Sequence, residues 1–181
     1  MTRFGYVMVA YFAAMSTVVT AFIHPSPRLI WNASASVPIG LYRMHSVSAL
    51  KVDDLVAVVP PNTLAGFLAE RHYLPRGVPM LKHVAATAGQ RVCRIGARVT
   101  VDGKHVGDAR ERDHFGRTLP VWKGCRALSR GDIFVMNRDV ADSFDGRYFG
   151  PLPASTITGR LTPLWTMSER DRAVSEQRST H

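Results

Sequence analysis

Two serines stand two residues apart at the start of a stiff corner, Asn32-Ala33-Ser34-Ala35-Ser36-Val37-Pro38-Ile39-Gly40. A serine hydroxyl held on a constrained turn becomes a nucleophile when a base takes its proton. The same residues also make an ordinary polar loop, with Asn32 and Ser34 as turn formers. A second stretch, Met80-Leu81-Lys82-His83-Val84, places one lysine inside an apolar run. Burying an ammonium is costly. Either the amine snorkels to water, or desolvation depresses its pKa until it can accept a proton. A third stretch, residues 137–153, gathers aspartates and two arginines around Ser143, with aromatics beside them. Taken alone it is a salt-bridged loop.

These residues need elements to hold them, and the apolar patterning reads mostly as strands. Strands are expected at 40–44, 53–60, 79–86, 90–95, 131–137 and 155–165, with a hairpin over 97–108 turning at Asp102-Gly103. One soluble helix is expected at 62–73, capped by Asn62 or Thr63, with Leu64, Phe67 and Leu68 on one face. Short strands with frequent turns predict a mainly β, antiparallel domain with one short helix.

Ahead of that domain, residues 4–23 form an uncharged 20-residue run. As a helix this length spans a hydrocarbon core of ~30 Å, and His24-Pro25 ends it. A cleaved signal peptide is the rival reading, although its apolar region is usually ~7–15 residues. The expected organisation is a transmembrane anchor at 1–24 and a folded domain at 25–167. A small basic insert is expected at about 93–128, followed by a polar tail at 168–181 that has no apolar stripe to bury.

The net charge of +9 is localised: residues 71–130 hold 13 Lys/Arg and 4 Asp/Glu, which accounts for all of it. Such a face could meet an anionic membrane surface or nucleic acid, or simply keep the protein soluble. Without a stacking-aromatic pattern or nucleic-acid motif, no nucleic acid is expected as partner. The two cysteines, Cys93 and Cys125, lie outside any CxxC or HExxH pattern, so neither a metal site nor a cofactor is expected. In an oxidising compartment they would form one disulfide; in the cytoplasm they would be buried thiols.

In this order the three stretches resemble the type I signal peptidases, which use a serine–lysine dyad. Members carry an N-terminal anchor, then a serine corner with proline close behind. A lysine strand follows, and last a motif of the form Asn-Arg-Asp-Asn-Ser-x-Asp-Ser-Arg-Tyr-Trp-Gly. The matching segments here are Lys82-His83-Val84, Gly89-Gln90-Arg91-Val92 and Asn137-Arg138-Asp139 through Tyr148-Phe149-Gly150. The likeness covers most of 30–165. The first motif departs from the general form, with Val37-Pro38 directly after Ser36, and its Asn-x-Ser-x-Ser-x-Pro-x-Gly-x-Tyr pattern is similar to the TraF-type conjugative-transfer branch. The last motif carries two extra residues, Val140-Ala141, before Ser143.

The resemblance implies a signal-peptidase-like β domain on the periplasmic face of a bacterial inner membrane. It implies a monomeric, cofactor-free endopeptidase that processes an exported, pilin-like precursor for plasmid transfer, by cleavage or with cyclisation. It casts Ser36 as nucleophile and Lys82 as its base. The Ser36 N–H and the Ser34 hydroxyl become the oxyanion hole, Ser143 aims Lys82, and Asp145 with Arg147 holds the loop. Three alternatives stay open: a general signal peptidase, a non-enzymatic basic membrane scaffold, and a Ser-His-Asp hydrolase using His83 or His114. The last lacks a GxSxG elbow.

Overall fold

The computed structural model describes residues 3–22 and 29–167. The expected tail at 168–181 and the end of the expected anchor at 23–24 lie outside the described residues. Helix α1, Arg3–Phe22, opens the chain with Phe4, Val7, Phe12 and Val19 exposed. Among the described residues, no helix is long and apolar enough to cross a membrane.

The rest is mainly β. Strands β1 (Leu29–Asn32), β2 (Gly40–His45), β3 (Leu55–Val58) and β4 (Met80–Ala86) belong to a seven-stranded sheet. Strands β9 (Asp132–Val135), β10 (Leu152–Pro153) and β11 (Ile157–Thr166) complete it in the order β1-β2-β11-β3-β4-β9-β10. A four-stranded sheet runs β7-β6-β5-β8, built from β5 (Arg91–Ile95), β6 (Arg98–Val101), β7 (Lys104–Asp108) and β8 (Gly124–Ala127). All the strand pairings are antiparallel. Asp102 and Gly103 both take positive φ, as the primed turn of the β6–β7 hairpin requires.

Helix α2 is Asn62–Glu70, shorter than 62–73. Neither Asn62 nor Thr63 caps it. The N-cap is Pro61, which makes no side-chain cap bond, and the first turn closes through Ala65 N–H to the Pro61 carbonyl. Proline fixes the φ needed there, so Asn62 already sits inside the helix. At the other end His72 turns left-handed, with φ at 57°. Residues 137–153 are more than a loop, for they contain a one-turn helix, α3 (Gly146–Phe149), capped by the Asp145 carboxylate on the Arg147 N–H. Gly146 lets this turn lie against β9, since a Cβ there would stand 2.6 Å from the Val135 carbonyl oxygen.

Both faces of the central sheet are covered. Val56, Val58, Val84 and Val135 pack with Leu68 of α2 on one side, while Tyr42, Ala57, Leu81 and Leu161 pack around Val37 on the other. Side chains alternate along a strand, so Lys82 shares the face of Met80 and Val84. It pairs across the ladder with Val56. A third cluster, Val92, Val99, Val101 and Leu128 against Phe134 and Met136, welds the small sheet to β9.

Cys93 and Cys125 sit directly opposite each other in the β5–β8 ladder and form a disulfide, with Cα atoms 4.0 Å apart. The bond closes 32 positions of chain. In the chain-entropy account this contributes about 3–4 kcal/mol. Thermal melts of the Cys93→Ser/Cys125→Ser protein are therefore expected to fall by roughly 10 °C relative to the oxidised protein. An unchanged melting temperature would show that the packed cluster alone holds the small sheet.

Candidate active site

The serine corner is built around one side chain. Asn32 is buried, and its Nδ2 donates to the carbonyls of Ser34 (2.8 Å), Val37 (3.1 Å) and Pro38 (3.1 Å). Its Oδ1 accepts from the Ser34 N–H at 3.1 Å and from the Ser34 hydroxyl at 2.9 Å. The Tyr42 hydroxyl donates to the Pro38 carbonyl from the neighbouring strand. The turn is thus held by its own carbonyls, which frees the hydroxyl of half-buried Ser36 to project. The Ser34 and Ser36 oxygens lie 3.0 Å apart. Because the single Ser34 proton is directed at Asn32, the Ser36 hydroxyl is the donor between them.

Lys82 is 4% exposed. A long cation tip at that depth does not snorkel. Desolvation pushes its pKa down to about 8; nearby Asp145 pulls it back up and Arg147 lowers it further. The amine donates to the Ser143 hydroxyl at 2.6 Å, and Ser143 is itself buried.

Ser143 is held in place by the ion pair behind it. Asp145 and Arg147 are both buried and meet through two parallel bonds, Nε to Oδ1 at 2.9 Å and Nη2 to Oδ2 at 2.8 Å. Arg147 also grips carbonyls along the loop, those of Asn137 at 3.1 Å and Val140 at 2.7 Å among them, with Ala141 at 3.4 Å. The two extra residues of the motif are therefore clasped, and the loop still delivers Ser143 to Lys82. A pair buried this deeply tolerates loss of one partner badly.

One residue was missed as a site residue in the sequence. Asn137 follows β9, is buried, and links the corner to the lysine strand. Its Nδ2 donates to the Ser36 carbonyl at 2.7 Å and the Leu81 carbonyl at 3.2 Å, and its Oδ1 accepts from the His83 N–H at 3.1 Å. Its own N–H donates to Asp145 at 3.0 Å. The available signal was an asparagine ending a buried apolar strand, where an unpaired amide would be costly. Asn32, read only as a turn former, is the corner's scaffold.

Ser34, Ser36, Lys82 and Ser143 all line one cavity of about 890 Å³. Its apolar wall includes Leu68, Met80, Phe144 and Tyr148. Asp145 and Arg147 stand behind this lining, and Cys93 and Cys125 are in the small sheet, apart from it. His83 faces Asn137, and His114 lies on the cavity wall beside Phe115. Among the described residues no histidine ring is hydrogen-bonded to a serine hydroxyl.

Residues 1–165 match the family described as "Signal peptidase, peptidase S26". The chain is 37% identical over 145 residues to a probable conjugal transfer protein TraF of Sinorhizobium fredii, covering 75% of this chain and 76% of that protein. It is 34% identical over 147 residues to the conjugal transfer protein TraF of Agrobacterium fabrum, covering 75% and 81%. A plasmid transfer protein TraF of Escherichia coli is 31% identical over 145 residues, again covering 75% and 81%. A solved signal peptidase I of Enterococcus faecalis overlaps with a TM-score of 0.39 at 18% identity, covering 65% of this chain and 100% of that one. With a family match running through both the serine corner and the lysine strand to the final motif, the chain belongs to the signal peptidase family, peptidase S26.

Proposed function

We propose that this protein is a serine endopeptidase with a Ser36/Lys82 dyad. We further propose that it processes an exported, pilin-like precursor during plasmid conjugation. The observation that carries the chemistry is a lysine buried to 4% exposure, lowered to about 8, on the same cavity as a projecting serine. The conjugal-transfer relatives support the biological setting. The exposed apolar side chains of α1 support attachment to the bacterial inner membrane through the N-terminal segment, with the β domain of 25–167 on the periplasmic side and the small sheet as its insert.

In the proposed reaction the neutral Lys82 amine takes the Ser36 proton as Oγ attacks the scissile carbonyl carbon. Charge develops on the carbonyl oxygen, to which the Ser36 N–H donates. The Ser34 hydroxyl joins it by turning away from Asn32, to which it donates in the resting corner. The tetrahedral intermediate collapses, the C–N bond breaks, and Lys82 returns the proton to the leaving amine. Water, or the precursor's own amino terminus, then resolves the acyl-enzyme. The bond from Lys82 to Ser143 uses a donor hydrogen and leaves the lone pair of the neutral amine for Ser36.

Ser36→Ala and Lys82→Arg are each expected to abolish processing of a co-expressed pilin precursor, read by mass spectrometry. Arginine keeps the charge but cannot be deprotonated in a protein. Processing by the Lys82→Arg protein at near wild-type rate would remove the dyad. Ser34→Ala is expected to slow turnover by about 10²–10³, the usual worth of one oxyanion donor.

The rate should also follow the lysine. With a folded pKa of about 8, the base-competent neutral form grows as pH rises through that value. Precursor cleavage measured from pH 6 to 10 is expected to climb about tenfold per pH unit at the acid end and level off above about 8. Stability carries the matching sign. The unfolded chain holds its lysine proton to about 10.4, so it binds more protons than the native state between about 8 and 10.4. The lysine's cost is fully present below 8 and is relieved as pH rises through that window, by about 3 kcal/mol in all. A rate profile with no inflection between 7 and 9 would contradict this.

Asn137 supplies a positioning test. Asn137→Asp keeps the acceptor for the His83 N–H and loses the donors to Ser36 and Leu81. The new charge favours lysine protonation. A drop in the maximal rate together with an inflection moved above 8 is expected, whereas a merely structural residue would lower stability and leave the inflection in place.

A further inference from the structure

The cavity extends well past the serine and lysine. Its far wall is the segment 110–115, part of a tight turn between β7 and β8. The turn is rigid for a visible reason. Asp113 Oδ1 accepts from the N–H groups of Phe115 (2.9 Å) and Arg117 (2.8 Å), and its other oxygen meets Arg117 Nε at 2.7 Å and the Tyr73 hydroxyl. Burial pushes the Asp113 carboxyl up, but these four donors outweigh it and hold it far below the usual carboxylate range. Tyr73 in turn ties the wall to the end of α2. Arg112 pairs with Thr118 across the turn, so the segment is an arm with a fixed backbone.

The arm carries Arg110, Glu111, Arg112 and Asp113, and Glu111 lies outside the cavity lining. Asp113 is committed to Arg117, and Asp142 across the cavity is paired with Arg110. Arg112 is exposed on the lining and has no acidic partner among the described residues. Its Nη1 donates to the Gly116 carbonyl at 2.7 Å. A guanidinium carries five N–H donors, so most of those of Arg112, a residue on the cavity lining, have no hydrogen-bond partner in the fold. His72 and His114 also line this end. The lining therefore grades from apolar at Leu68, Met80 and Phe144 to a guanidinium without an acidic partner at the arm.

From this gradient we infer that the arm is a specificity subsite. It selects peptide substrates that place an aspartate or glutamate, displaced from the scissile bond, against Arg112. The inference rests on the peptidase reading above and deepens it. A peptide is the occupant favoured over an anionic lipid because Arg112 borders the same cavity as Ser36 and Lys82, and because the approach to it is lined by apolar side chains that suit a peptide's.

The test uses the full-length protein in detergent and a mixture of decapeptides randomised at each position. Ser36→Ala protein captures binders, and wild type cleaves the same mixture, with both pools sequenced by mass spectrometry. Acidic residues should be enriched about three- to tenfold at one fixed position in both pools, the range expected for a single partly exposed charge pair. Arg112→Glu should reverse the preference to Lys or Arg at that position, so that the ratio of acidic to basic peptides inverts in both pools. Enrichment should fade between 50 and 500 mM salt. Acidic enrichment that survives Arg112→Glu, or no enrichment at all, would overturn the subsite. So would an Arg112→Glu protein that loses binding to phosphatidylglycerol vesicles and keeps its peptide preference, which would assign the arm to lipid. Failure of wild type to cleave any peptide, with capture by Ser36→Ala intact, would strike the peptidase reading and leave the subsite standing.

Discussion

An ammonium cannot be taken out of water without compensation, and the architecture around Lys82 follows from that constraint. The lysine lies on a face of β4 otherwise occupied by Met80 and Val84, with Val56 opposite. Only 4% of its surface is exposed. Two things make the position tolerable. Burial lowers the amine's pKa to about 8, so it gives up its proton at a lower pH than a free lysine does. Its hydrogen-bonding capacity meets a hydroxyl that the chain brings from 61 residues away. A serine on a floppy loop would not suffice, because a partner that comes and goes leaves a buried polar group unsatisfied part of the time.

That requirement accounts for the second layer. The loop 137–145 has little apolar content with which to fix itself, and it is fixed by a side chain. Arg147 is fully buried, neutralised by Asp145, and spends its remaining donors on carbonyls of the loop. Buried pairs of this kind are often no better for stability than a hydrophobic replacement. Here the return is geometric, since one guanidinium sets the course of the loop from Asn137 to Ser143. Asn137 carries the same logic to the corner, joining Ser36 and Leu81 through its side-chain amide and Asp145 through its backbone N–H. Electrostatics, hydrogen bonding and strand register converge on one arrangement of three segments.

Much of this was legible in the sequence, and the reasons differ by element. The strands could be placed because Leu55–Val58 and Met80–Ala86 are covered on both faces and so appear as continuous apolar runs. Lys82 stood out as the one charge interrupting such a run. The Cys93–Cys125 bond is a pairing of the only two candidates. Strand β1 was hidden, because Leu29–Asn32 is a short edge with little burial, and its sequence Leu-Ile-Trp-Asn shows no polar–apolar alternation. The cap of α2 was misjudged because proline at the junction displaced the usual asparagine signal. The roles of Asn32 and Asn137 were out of reach for a different reason. An amide's importance lies in what it touches, and the partners of Asn137 are up to 101 residues distant. Arg112 was one basic residue among 13 in its segment, and only the pairing of its neighbours leaves it conspicuous.

Those long sequence separations carry a consequence for how the molecule comes into being. Contacts between distant segments form late, after the loop-closure entropy of the intervening chain has been overcome. Ser36 emerges early in synthesis, but the carbonyl-to-amide link that fixes its corner waits for Asn137, and the hydroxyl that satisfies Lys82 waits for Ser143. The clasp that steadies both waits for Arg147. Until roughly four-fifths of the chain has been made, the serine corner and the lysine strand exist without the residues that lock them together. The site is completed from its last-made residues, not its first.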